Sequence, residues 1–196
     1  MSHLGYRTVN KPALALMALL AILFLAPASS LEWQPDVAHS GEWWRLITGH
    51  LAHLNGWHLV LNLAGLALVL ALYPRFLPLP TLSIALIWLA IFISLGLLLL
   101  LPELPGYRGF SGCLHGLAAI LAIRGFREDR LLSASILVLL AGKLVMESAG
   151  LGLADTTNLI GGAVVWQAHA LGFAGGIVFA GLGLFMPQTP RQSSPE

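Results

Sequence analysis

Three polar clusters interrupt an otherwise apolar chain: Gly109-Phe110-Ser111-Gly112-Cys113-Leu114-His115-Gly116, Ala168-His169-Ala170-Leu171-Gly172 and His58-Leu59-Val60-Leu61-Asn62. A serine hydroxyl is a weak nucleophile until a neighbouring base takes its proton. His169 is the candidate base for Ser111, and such a base contributes ~10²–10⁴-fold in rate. The oxyanion that forms on the attacked carbonyl needs preorganised donors, each worth ~10²–10³-fold. His58 and Asn62 stand four residues apart, so they point from one helix face toward one spot. The Ser111 backbone N–H, at the start of a helix, is a further donor. The sequence places no acid to orient His169, so the expected unit is a Ser111–His169 dyad that cleaves an acyl bond with no metal or cofactor.

These residues must be positioned by membrane helices. The chain is 57% hydrophobic and only 10% charged, with a mean hydropathy of +0.82; soluble domains carry about 25% charged residues. Six apolar segments, 12–27, 57–73, 79–101, 111–123, 131–150 and 161–186, predict an all-α bundle of six transmembrane helices in one domain over 1–187, with a polar tail over 188–196. At ~1.5 Å per residue, Ser111, His58 and His169 lie roughly 20, 22 and 26 Å from the inner ends of their segments, all below the outer surface of a ~30 Å hydrocarbon core. The fourth segment is too short to span alone, so the preceding loop with Pro102, Pro105, Gly106 and Gly109 is expected to dip into the protein beside a water-filled cavity. Gly112 and Gly116 on the fourth segment, and Gly172 and Gly176 on the sixth, form small-xxx-small pairs that let two backbones approach closely. His169 shares the small face of its helix, which brings it within reach of Ser111.

Charge sets the orientation. With the N-terminus in the cytoplasm, the inner side holds Arg7, Lys11, Arg75, Arg124, Arg127, Arg130 and Arg191, and the outer side only Arg45 and Arg108. This predicts a multi-pass membrane protein with both termini cytoplasmic. The first segment, followed by Ala26-Pro27-Ala28, also resembles a secretory signal peptide, but an uncleaved helix fits a membrane bundle better. The net charge of +1 gives no case for nucleic-acid binding. Cys113, the single cysteine, can make no disulfide framework and reads as a packing residue. His50 and His53 lack a third ligand for a metal. Trp44 and Arg45 read as anchors of the first loop at the interface. Lys143 and Glu147, four apart on the fifth segment, read as an internal ion pair, with a substrate or gating contact as the sharper alternative.

Trp44-Arg45, His58-x-x-x-Asn62, Gly109-x-Ser111-Gly112 and Ala168-His169-x-x-Gly172, in this order, resemble the rhomboid family of intramembrane proteases. The resemblance implies a six-helix fold, Ser111 as nucleophile, His169 as base, and His58 and Asn62 as oxyanion donors. Many rhomboids carry an aromatic residue four positions after the serine; here it is His115, followed by Gly116. That form is similar to the rhombosortase subgroup, which implies a membrane-anchored substrate whose C-terminal anchor has a Gly-Gly motif, an apolar helix and a basic tail. The departure leaves His115 open between stacking on His169 and a deeper hydrogen bond. Two other classes compete: an inactive rhomboid-like scaffold, which intact Ser111 and His169 oppose, and a small transporter, which predicts polar groups through the whole bilayer depth rather than in its outer half.

Overall fold

The computed structural model describes residues 11–73, 79–151 and 154–183. Arg7, Arg75, Arg191, the end of the sixth apolar segment and the 188–196 tail lie outside the described residues.

The described chain is helical, with one isolated antiparallel bridge between Trp33 and Tyr107. In order the helices are α1 (Lys11–Leu23), α2 (Ala28–Leu31), α3 (Val37–Ser40), α4 (Arg45–Thr48), α5 (Gly56–Leu72), α6 (Leu79–Leu100), α7 (Ser111–Gly125), α8 (Arg130–Ser148), α9 (Ala154–Ile160) and α10 (Trp166–Leu182). Six of them have thirteen residues or more and fall on the six apolar segments. Two stretches, Pro80–Leu100 in α6 and Arg130–Ser148, are long and apolar enough to cross a membrane; α1, α5 and α7 are shorter apolar helices. The apolar pattern overstates two of them. α1 stops at Leu23, four residues before Pro27, and the chain turns there before α2. α10 begins only at Trp166, because Gly161 takes a φ of 74° and the chain to Val165 does not coil.

Local chemistry sets several helix starts. Asn55 accepts the His58 N–H at 2.9 Å to cap α5, and Asp129 accepts the Leu132 N–H at 2.9 Å to cap α8; such caps contribute about 1 kcal/mol. The first turn of α7 has no side-chain cap. Its fifteen residues span only about 22 Å, and the helix is buried along almost its whole length. It is the post around which the others stand.

Helices in lipid gain nothing from apolar burial alone, so their packing needs close van der Waals contact. The tightest is α7 against α10, where glycine faces glycine. A Cβ on Gly172 would sit 1.9 Å from the Gly112 carbonyl oxygen, one on Gly116 would sit 2.6 Å from that of Gly172, and one on Gly176 would sit 2.4 Å from that of Gly116. Trp88 of α6 ties onto α10 through the Gly175 carbonyl at 3.0 Å. By contrast α8 keeps only Ser133 fully buried, and it turns Leu131 (80% exposed) and Val138 (70%) outward. An apolar face of this size fits lipid rather than water.

The loops are pinned to this bundle. Arg45 is buried, bonds the Ser29 and Glu32 carbonyls at 2.8 and 2.9 Å, and pairs with Glu42 at 2.8 Å. Trp44 is exposed, and its indole bonds the Ser30 carbonyl at 3.3 Å. The Ser94 hydroxyl of α6 donates to the Leu46 carbonyl at 2.7 Å and lies 3.0 Å from His50 Nε2. Before α7, the loop does dip inward: Tyr107 and Phe110 are buried, and Gly109 N–H bonds the Gly49 carbonyl at 3.1 Å.

Candidate active site

Ser111 is the first residue of α7, so its hydroxyl sits at the inner end of the dipping loop. His169 lies in the first turn of α10. The glycine contact between the two helices sets the separation, and Ser111 Oγ and His169 Nε2 stand 2.8 Å apart. That is hydrogen-bond distance for a nucleophile and its base.

The imidazole of His169 is held on three sides. His115 stacks on it, with ring centroids 4.3 Å apart and planes 11° from parallel. His115 Nδ1 lies 2.7 Å from the Ser111 carbonyl, so this nitrogen carries the proton and donates one turn back along α7. Of the two roles left open for His115, the stack on His169 is present, and its hydrogen bond runs back to the start of α7 rather than deeper. On the other edge of His169, Nδ1 lies 2.8 Å from Glu147 Oε2 of α8. The expectation that no acid orients His169 is corrected here. The sequence paired Glu147 with Lys143, and that ion pair is present through Oε1, but the second carboxylate oxygen faces the histidine. The missed signal was depth: Glu147 is 17 residues from the start of α8, roughly 26 Å along the helix, the depth estimated for His169.

His58 and Asn62 are buried on α5 and face the same site. The Leu54 N–H points at His58 Nδ1 at 3.3 Å, which leaves the ring proton on Nε2. A Cβ on Gly109 would lie 3.0 Å from that nitrogen and 3.7 Å from Ser111 Oγ, so both groups flank the side-chain position of Gly109. Gly109 has a φ of 140°, a conformation side-chain-bearing residues rarely take, and its carbonyl accepts the Tyr107 hydroxyl at 2.8 Å. Tyr107 was not singled out in the sequence; it clamps this turn. Asn62 Nδ2 gives one hydrogen to the His58 carbonyl at 3.0 Å and keeps a second amide hydrogen. A Cβ on Gly112 would sit 2.9 Å from the Ala168 carbonyl, so a glycine here lets α10 approach.

Ser111, His169, His58, Asn62, His115, Lys143 and Glu147 all line one cavity of about 1170 Å³. α5, α7 and α8 line it, and Gly150, Leu151, residues of α9 and the stretch 163–165 border it. Outside this cluster its walls are mostly apolar, with Arg108, Thr156 and Thr157 as further polar lining. His50 and His53 turn to different partners, Ser94 and the edge of the His58 ring, and among the described residues no group of three His, Cys, Asp or Glu is placed to hold a metal. Cys113 is buried and free.

The comparison with curated proteins finds no match. The family model described as a rhomboid domain matches residues 40–185, about three quarters of the chain, from the first loop to beyond His169. The chain therefore belongs to the rhomboid family, membrane proteins most of which are intramembrane serine proteases.

Proposed function

We propose that the protein is an intramembrane serine endopeptidase that uses Ser111 and His169 to cleave membrane-anchored proteins near the outer face of a bacterial inner membrane. The observation that carries this reading is the 2.8 Å approach of Ser111 Oγ to His169 Nε2 inside a cavity also lined by His58 and Asn62. The six longer helices are read as six passes, with both termini cytoplasmic; the shorter ones are completed by flanking residues and by the dipping loop.

The reaction runs as acyl transfer in two halves. His169 Nε2 takes the Ser111 proton while Oγ bonds the scissile carbonyl carbon. The oxyanion is met by the His58 Nε2–H, the free Asn62 amide hydrogen and the Ser111 N–H of the uncapped helix start. The C–N bond then breaks, and the imidazolium returns its proton to the departing amine. Water repeats the sequence on the Ser111 ester and releases the acid.

The substrate class rests on His115-Gly116 and the rhombosortase resemblance: a C-terminal anchor with Gly-Gly at the outer end of an apolar helix and a basic cytoplasmic tail. Glycine costs a helix ~1 kcal/mol relative to alanine, so such an anchor unwinds readily into the extended form a nucleophile requires. Two measurements test the proposal. A fluorophosphonate probe is expected to label Ser111 in the wild type and not in Ser111→Ala; an unlabelled wild type would remove the hydrolase. A model anchor with Gly-Gly is expected to be cleaved, and the same anchor with Leu-Leu spared. Equal cleavage of both would remove the substrate class and leave the mechanism standing.

A further inference from the structure

Glu147 uses its two carboxylate oxygens on different partners. Oε1 pairs with Lys143 one turn back on α8, and Oε2 lies 2.8 Å from His169 Nδ1. Because His169 Nε2 is in turn 2.8 Å from Ser111 Oγ, an unbroken chain of polar contacts runs Lys143–Glu147–His169–Ser111. An ion pair that served only to neutralise α8 would need no third partner. We infer that Glu147 is the positioning acid for His169, and that Lys143 fixes which carboxylate oxygen faces the imidazole. This rests on the hydrolase reading above and adds to it a third member.

The physical case is one of proton placement. An ionised carboxylate only accepts hydrogen bonds, so Glu147 requires the ring proton on Nδ1 and leaves the Nε2 lone pair for the serine. With Nδ1 held by Glu147 and one ring face covered by His115, the imidazole keeps little rotational freedom. The carboxylate also stabilises the imidazolium that forms when Ser111 is deprotonated, in a site where water screens weakly. Lys143 serves the acid rather than the base. Its side chain is 47% exposed and that of Glu147 only 12%, so the cation reaches toward the open side of the cavity while keeping the buried carboxylate charged.

The arrangement makes a prediction that a structural ion pair would not. In Glu147→Gln the amide has one oxygen and one NH₂. Lys143, a pure donor, claims the oxygen, which turns the NH₂ toward Nδ1. His169 then takes the other tautomer, with its proton on Nε2, where it cannot accept from Ser111. Glu147→Gln is therefore expected to lower kcat by ~10³–10⁴-fold, as wrong-tautomer variants of serine triads do, with KM within about threefold of wild type, since the contact is not to substrate. Adding Lys143→Met frees the amide to rotate its oxygen to Nδ1. The double variant is expected to regain at least about tenfold over Glu147→Gln alone, the gain that one restored hydrogen bond of ~1.4 kcal/mol would give.

The assay is cleavage of the Gly-Gly anchor in proteoliposomes, with the Ser111 labelling rate as a second readout and thermal unfolding as the check of fold. Glu147→Gln within threefold of wild type would overturn the inference, and so would a folded double variant no faster than Glu147→Gln. If Glu147→Gln does not accumulate, Glu147→Ala takes its place, and near-wild-type labelling there overturns it equally. An unlabelled wild type instead removes the hydrolase reading itself, so the two failures are told apart.

Discussion

At Ser111 the local backbone does as much as the side chains. Gly109 combines a φ of 140° with a Cβ position 2.9 Å from His58 Cε1, so no larger residue fits without moving the His58 ring. His58 itself is oriented by the Leu54 N–H, and Asn62 by the His58 carbonyl. His58→Ala and Asn62→Ala are each expected to lower kcat by ~10²–10³-fold with KM little changed; steady-state kinetics on the model anchor decide it, and losses under about threefold for both would remove the oxyanion assignment. The residue types at Ser111, His169, His58 and Asn62 were legible in the sequence because polar groups stand out against an apolar background. What stayed hidden was the second partner of Glu147. Its nearest candidate in the sequence, Lys143, satisfies one oxygen, and only the approach of α8 to α10 reveals what the other touches.

Among the elements, α7 and α10 carry the proposed nucleophile and base, and the glycine contact between them sets the distance from Ser111 to His169. Small-xxx-small spacing on both segments made this pairing readable before any coordinates. The exact ends of α1 and α10, and the short helices α2, α3, α4 and α9, were not readable, because apolar runs continue through turns that Pro27 and Gly161 impose. Gly172→Ala is expected to destabilise by more than the ~1–3 kcal/mol usual for overpacking, since the atom in its way is the Gly112 carbonyl oxygen at 1.9 Å. Gly181→Ala on the same helix meets nothing within 4 Å and is the control, neutral or slightly stabilising. Thermal unfolding in detergent compares them; equal midpoints would mean that the glycine contact is not what holds the pair.

At the scale of the molecule, the first loop carries two buried histidines, of which His50 ties it to Ser94 of α6. Burial holds His50 down at about 4, against an ordinary 6.5. Burial first, and then the nearby His58, holds His53 at about 4 as well. The folded protein therefore binds fewer protons than the unfolded chain between these values, and stability rises with pH there. Their contribution is complete above about pH 6.5 and is lost as pH falls toward about 4. Tryptophan fluorescence is expected to show the unfolding midpoint falling from pH 7 to pH 4.5, with a shallower slope in His53→Gln; a flat wild-type profile over that range would contradict it. The membrane character was legible from composition and the all-helical class from the six apolar segments. The pinning of the loop was not, since Arg45 reads as an interfacial anchor yet is buried against the Ser29 and Glu32 carbonyls.

The glycine contact also has a genetic consequence. When a bulky core side chain is introduced elsewhere in a protein, a smaller neighbour can restore the fit. Here the neighbour of Gly172 is the main chain of Gly112 and that of Gly176 the main chain of Gly116, whereas Gly116 meets the Leu89 side chain as well as the Gly172 carbonyl, which would remain if Leu89 were shortened. No substitution opposite can shrink a peptide carbonyl. A suppressor of a change at these positions would have to push the two helices apart, and that would draw His169 away from Ser111. Revertants that regain the folded protein should therefore remain without activity, and revertants that regain activity should restore the glycine.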